Sequence, residues 1–216
     1  MKEIFKGVFQ EGPRLYTRNL VKGFKVHGEK LVQKEGIEYR EWNPFQSKLG
    51  SAISLGIKEF PFAQGTKVLY LGAAHGVTPS FVSDIVGKKG EVYCIEIAPI
   101  AMRDLIRVCE QRDNMIPILA DARHPEEYAE VGKVDVVFED VADPQQAEIL
   151  IENARFLAKG GFALIAIKSR AIDSVQKPTK VYQTIKEKLS GTFDTEQEIV
   201  LDKFEKDHLF LVLRKR

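Results

Sequence analysis

Four charged side chains stand where apolar runs stop in this 216-residue chain. Glu96 closes Val92-Tyr93-Cys94-Ile95, Asp121 follows Met115 to Ala120, Asp140 follows Val134 to Glu139, and Lys168 follows Gly161 to Ile167. Another run, Val68 to Leu71, ends instead in Gly72-Ala73-Ala74-His75-Gly76, with Val77-Thr78 next. Small residues let a backbone approach a ligand closely, and a helix starting there would offer N–H groups to an anionic or carboxylate group. In an open parallel sheet, ligands sit outside the carboxyl ends of the strands. Five runs ending on one edge would therefore gather these groups around a single ligand.

Glu96 is placed to accept both hydroxyls of a ribose, and together with the loop it favours an adenosine-containing ligand. Asp121 can accept from an exocyclic amine, and it serves equally well as the cap or Asx turn before His124-Pro125. Asp140 faces the reacting end of whatever binds. Asp143 reads as the cap of a helix with Pro144 at its first position. Lys168 reads either as a strand's exit to solvent or as the cationic partner of Asp140. The fingerprint G-x-G-x-x-G is absent, as are G-x-S-x-G and the phosphate-loop pattern. Neither the four histidines nor the two cysteines, Cys94 and Cys109, make a metal-ligand spacing.

The elements that must position these groups follow from hydrophobic rhythm. Arg14 to Leu20 alternates, and Lys30 to Val32 and Ile37 to Trp42 flank Lys34-Glu35-Gly36, a hairpin turn. Asn43-Pro44 breaks the pattern. Ser47 to Phe60 has helical period. From residue 67 onward, buried apolar runs alternate with helices at about 79–86, 99–112, 144–157 and 178–189. This predicts a parallel, doubly wound α/β sheet. Thr195 to Leu201 and Leu209 to Leu213 follow one another without a helix between, which adds an antiparallel hairpin and makes seven strands. The expected division is a small N-terminal β domain over 1–44 and an α/β domain over 45–216.

Composition excludes several classes. Hydrophobic residues make up 44%, enough for a core. No run approaches the roughly 20 apolar residues that span a bilayer, so no membrane association is expected, and the first residues lack a secretory pattern. Separated cysteines suit a reducing compartment. The net charge of +1 argues against nucleic-acid binding by bulk charge alone. Residues 1–48 carry ten Lys/Arg against six Asp/Glu, leaving a slight excess of acid for the rest.

The sequence resembles fibrillarin, the RNA 2′-O-methyltransferase family of box C/D ribonucleoproteins, in its short archaeal form, along essentially the whole chain. The resemblance is carried by Tyr39 to Leu49, Lys67 to Ala74, Val82 to Gly87, Asp121 to Pro125 and Asp207-His208. It implies a seven-stranded Rossmann-like methyltransferase sheet and S-adenosylmethionine as cofactor. The cofactor is expected at Gly72, Ala73, Gly76, Val77 and Thr78, at Glu96 and Ile97, at Asp121 and Ala122, and along Asp140, Val141, Ala142 and Asp143. A catalytic Lys–Asp–Lys constellation maps onto Lys48, Asp140 and Lys168, with His208 as a fourth member. The family usually has hydroxyl residues where this chain has His75 and Val77, and glutamine where it has Asp143. Backbone N–H groups, more than side chains, are therefore expected to hold the cofactor at that loop.

The resemblance also implies methyl transfer to ribose 2′-hydroxyls of rRNA, with tRNA as a further substrate. Sites would be chosen by a box C/D guide RNA, with a Nop-domain scaffold protein and a kink-turn-binding ribosomal-type protein as partners. The Gly/Arg-rich tail of eukaryotic members is absent from the sequence, which suggests an archaeal cytoplasm. Two rival readings are a non-catalytic assembly subunit and a nicotinamide-dependent oxidoreductase. The retained Lys48, Asp140 and Lys168 oppose the first, and the missing dinucleotide fingerprint opposes the second.

Overall fold

The structure, a computed structural model, describes residues 1–216 and contains two sheets. The first is antiparallel, in the order β1-β2-β3-β5-β4, from β1 (Lys2–Phe5), β2 (Val8–Glu11), β3 (Arg14–Arg18), β4 (Leu31–Lys34) and β5 (Ile37–Trp42). The Glu35-Gly36 turn joins β4 to β5, with both residues at positive φ (52° and 78°). That is the twist a two-residue hairpin requires. β1 and β2 fall within the N-terminal stretch expected to be β structure, though the sequence reading does not mark them individually.

The second sheet has seven strands in the order β11-β12-β10-β9-β6-β7-β8. They are β6 (Lys67–Leu71), β7 (Glu91–Glu96), β8 (Met115–Leu119), β9 (Val134–Glu139), β10 (Leu157–Lys168), β11 (Phe193–Val200) and β12 (His208–Lys215). β10, β9, β6, β7 and β8 run parallel, while β12 lies antiparallel to both β10 and β11, as the two consecutive terminal runs imply. The helices are α1 (Lys48–Ser54), α2 (Val77–Val86), α3 (Pro99–Cys109), α4 (Gln146–Asn153), α5 (Ser169–Ile172) and α6 (Pro178–Leu189). None is long and apolar enough to cross a membrane.

Alternation along each strand sends side chains to two apolar layers. Val136 and Phe138 of β9 join the layer under α2 and α3, while Val137 between them joins the layer under α4 and α6. α1 stops at Ser54, well short of the expected Phe60. Gly56, at φ 91°, donates to the Ile53 carbonyl and turns the chain, so that Ile57 and Phe62 pack into the core as irregular backbone. α4 also starts later than expected. Asp143 Oδ1 accepts from Gln145 N (2.7 Å) in a tight turn, which delays the helix to Gln146.

The N-terminal sheet lacks a sizeable core of its own. Val8, Leu15 and Trp42 belong to the α2/α3 layer, and Trp42 stacks on Phe81 of α2 at 4.8 Å. A buried ionic cluster completes the join. Asp84 of α2 accepts from Arg40 (2.8 Å) and Thr17 (2.7 Å) of the small sheet and from Arg112 (2.7 Å) beyond α3, and Arg40 also pairs with Glu29. The Arg40, Asp84 and Arg112 side chains are fully buried, and Asp84 has a donor on each oxygen, so the cluster tolerates burial only as a set. It holds β5, and hence the turn into α1, against the larger sheet.

Candidate active site

Each parallel strand delivers one part of the site at its carboxyl end. After β6 the chain turns at Gly72, where φ is 80° and an added Cβ would lie 3.0 Å from Val141 N and 3.1 Å from the Asp140 carbonyl. Only glycine fits where the β9 exit crosses this loop so closely. Gly72 N and Ala73 N both donate to the Ile95 carbonyl (3.0 Å each), which ties the loop to β7.

Glu96, the last residue of β7, is nearly buried, and each of its oxygens accepts one backbone N–H: Ala74 at 2.8 Å and Ala98 at 2.8 Å. A carboxylate has about four acceptor positions, so lone pairs remain for hydroxyl donors. Asp121, past β8, is gripped by Arg123: Nη2 lies 2.6 Å from Oδ2, and the Arg123 backbone N donates to Oδ1 at 2.9 Å. These Arg123 hydrogen bonds hold the Asp121 carboxyl below the usual carboxylate range. The Asx turn considered for Asp121 is thus present, and its side chain still borders the cavity.

That cavity measures about 340 Å³. Gly72, Glu96, Ile97, Asp121, Ala122, Asp140, Val141, Ala142, Asp143 and Lys168 all line it. The other residues expected at the cofactor do not. Ala73 is buried beneath the loop. At Gly76 a side chain would meet Leu105 of α3. Val77 packs into the core, and Thr78 donates to Ser47 Oγ at 3.1 Å. The first turn of α2 rotates these side chains away from the ligand side. His75 turns outward to Asp104 (3.1 Å). The chain's departures from the family at 75 and 77 therefore fall on side chains outside the cavity. Arg123 and Ile149 line it as well, and sequence reasoning did not single them out.

At one end of the cavity lies an ion cluster. Lys168 Nζ is 2.9 Å from Asp140 Oδ1 and donates to the Asp140 carbonyl at 2.6 Å. Lys48, the first residue of α1, lies 3.9 Å from the same Oδ1 and 4.0 Å from Glu205. It reaches this point because Ser47 caps α1, accepting from Gly50 N (3.2 Å), and is itself held by Thr78. His208 is the cross-strand partner of Lys168 in the β10–β12 register. Its Nδ1 lies 2.8 Å from the Lys206 carbonyl, so that nitrogen is the donor and Nε2 remains an acceptor in the neutral ring.

Two buried neighbours support the cluster, and sequence reasoning missed both. Gln146 opens α4 with no exposure. Its Nε2 donates to the Val141 and Ala166 carbonyls, and its Oε1 accepts from Lys168 N, all at 3.0 Å. It fastens the β9 exit to the end of β10. Glu139 is fully buried, and neither carboxyl oxygen has a hydrogen-bond partner. Burial pushes its carboxyl well above the usual range, with Asp143 and Asp140 adding to the rise and Lys168 opposing it. Burial thus favours the protonated form of Glu139.

A parallel sheet ending in an antiparallel hairpin, with a cavity bordered by Glu96, Asp121, Asp140 and Asp143 at its carboxyl edge, defines the methyltransferase-like class of α/β proteins. The fibrillarin family model matches residues 1–216. The chain is 49% identical to the fibrillarin-like rRNA/tRNA 2′-O-methyltransferase of Pyrococcus furiosus, over 99% of this chain and 97% of that one. Among solved structures, it is similar to Aeropyrum pernix fibrillarin in complex with natively bound S-adenosyl-L-methionine (TM-score 0.86, 44% identity, 93% and 88% of the two chains). It is also similar to a chain of a fibrillarin/Nop5p complex (TM-score 0.92, 34% identity, both chains covered in full). This chain belongs to the fibrillarin family.

Proposed function

We propose that this protein is an S-adenosylmethionine-dependent RNA ribose 2′-O-methyltransferase acting on rRNA, and on tRNA as a further substrate. The observation that carries the reading is the Lys48–Asp140–Lys168 cluster at the mouth of a cavity whose other walls suit an adenosine. Names and ligands of the relatives agree with it.

The residues present fit the cofactor. Glu96 retains lone pairs for two ribose hydroxyls, Ile97 flanks the cavity beside it, and Asp121 and Ala122 border the same space. The Gly72 turn lets the β9 exit at Asp140 and Val141 pack close against it, and both sides of that contact line the cavity. The loop 140–143 closes the side toward Lys168. The cofactor, when bound, supplies an activated methyl group. What remains for the protein is to orient the acceptor and manage one proton.

Lys168 is the group that meets the acceptor hydroxyl. Its ammonium, held on Asp140, stabilises negative charge as it develops on that oxygen. Asp140 fixes the lysine twice, through its carboxylate and its carbonyl, and its carboxylate is the acceptor assigned to the departing proton. Lys48, 3.9 Å from the same Asp140 oxygen, adds positive charge and suits the flanking phosphate. His208, beside Lys168, offers Nε2 as a further acceptor.

Site choice is assigned to a box C/D guide RNA, with a Nop-domain scaffold and a kink-turn-binding ribosomal-type protein as partners. The near-neutral charge of the chain gives little reason for tight RNA binding unaided. The relative in a Nop5p complex supports the scaffold. The decisive experiment transfers labelled methyl to guide-matched RNA in the reconstituted particle. Lys168→Ala is expected to lose transfer by at least about 10²-fold while calorimetry shows S-adenosylmethionine still bound. Near-normal turnover of that variant would overturn the assignment.

A further inference from the structure

One large apolar side chain beside the ion cluster is left without cover. Phe45 is 62% exposed and belongs to none of the apolar cores. It sits in a single 3-10 turn, Pro44–Gln46, closed by Asn43, whose Oδ1 accepts from Phe45 N at 3.0 Å. Two residues further on comes Ser47-Lys48, so the ring is carried on the same rigid segment that presents the catalytic-cluster lysine.

The other support comes from the far end of the chain. In the β11–β12 connection, Phe204 meets Phe45 edge-on with centroids 5.0 Å apart. The next residue, Glu205, is the one that faces Lys48, and Lys203 lies 5.4 Å from the Phe204 ring. Phe45 is thereby braced from behind and held at a fixed place relative to Lys48 and Asp140. Two cations lie near the aromatic pair: Lys203, at the Phe204 ring, and Lys48, which faces Glu205. An exposed apolar ring with cations nearby suits a nucleic acid, whose phosphates take the cations while sugar and base edges offer apolar surface.

We propose that Phe45 is a substrate-contacting residue that packs against the ribose and base edge of a nucleotide neighbouring the acceptor, in the shallow groove of the RNA. The groove is favoured because RNA displays its 2′-hydroxyls there, together with base edges that an apolar ring can cover. Such a contact sets the depth at which the acceptor hydroxyl meets Lys168. The proposal rests on the RNA methyltransferase reading above and adds to it the surface that seats the strand.

The test uses the full chain in the reconstituted particle with guide-matched RNA. Replacing Phe45 by the photoreactive p-benzoylphenylalanine is expected to give a light-dependent crosslink to the acceptor strand, next to the methylated position. Phe45→Ala is expected to slow single-turnover transfer about tenfold, equivalent to about 1.4 kcal/mol, with S-adenosylmethionine affinity unchanged. Phe45→Leu, which keeps the apolar bulk, should recover most of that loss. A crosslink only to protein, no crosslink, an unaltered rate in Phe45→Ala, or a Phe45→Leu rate no better than that of alanine would each overturn the proposal. If wild-type protein failed to methylate the RNA at all, the broader reading would fall instead.

Discussion

Replacing Gln146 by leucine should damage stability and catalysis together. Leucine fills nearly the same volume, so the cavity left behind is small. What disappears is the fastening of Val141, Ala166 and Lys168, three hydrogen bonds of 3.0 Å each made by a side chain with no exposure. Lys168 N–H would lose an acceptor in a buried place, and the two carbonyls would each lose a donor. A buried polar group left unpaired costs about 1–3 kcal/mol, and carbonyls with a second lone pair in use suffer less, so the sum is roughly 2–4 kcal/mol. At about 2–4 °C per kcal/mol for a chain of this size, the melting temperature should fall by roughly 5–15 °C. The catalytic effect follows from geometry. Lys168 Nζ holds Asp140 at 2.9 Å only while its own backbone is anchored, and a displacement of about 1 Å at a reacting centre costs on the order of 10²-fold in rate. Calorimetric melting and single-turnover methyl transfer, both below the variant's melting temperature, measure the two effects. A variant melting within about 1 °C of wild type and turning over at the wild-type rate would refute the claim that Gln146 positions the lysine.

Two other predictions concern buried charge. Glu139 is raised by burial, so the folded protein keeps a proton that the unfolded chain releases above about pH 4.3. The folded state is then penalised increasingly as pH rises from there toward the folded-state pKa, by up to about 1.4 kcal/mol per pH unit. Glu139→Gln carries no such proton. Urea melts should show its advantage over wild type growing as pH rises from about 4, and a pH-independent difference would contradict the upward shift. Asp84→Ala leaves Arg40 and Arg112 buried without their shared carboxylate. Breaking such a set should cost about 3–5 kcal/mol in urea unfolding, and a loss under about 1 kcal/mol would show that the two sheets are joined by apolar packing alone.

The edge on which the chemistry gathers is legible in the order of residues alone. Near-continuous apolar runs alternating with helices dictate parallel strands, and parallel strands put Glu96, Asp121, Asp140 and Lys168 at one edge. The terminal pair of strands is legible for a similar reason, since two runs without a helix between them must return antiparallel. Lys48 is a different matter. Only the family resemblance singles it out, because nothing local shows that the N-terminal sheet is clamped to α2 through Arg40 and Asp84, and that α1 thereby points its first residue at Asp140.

Periodicity reports which side of an element is apolar, and says nothing of which elements meet or how each is rotated where they do. Gln146 reads as an ordinary polar residue early in a helix, and only packing makes it the buried fastener of two strand ends. Glu139 reads as one more acid before Asp140, and strand alternation turns it inward where its neighbour turns to the cavity. Val77 and Thr78 lie next to the ligand loop in sequence, yet the first turn of α2 carries them into the core and onto Ser47. The sequence by itself determined the sheet, its edge and most of the acidic wall. The tertiary structure decided which side chains face the ligand, because that depends on the rotation and docking of whole elements, to which distant residues such as Arg40 and Phe204 contribute as much as near ones.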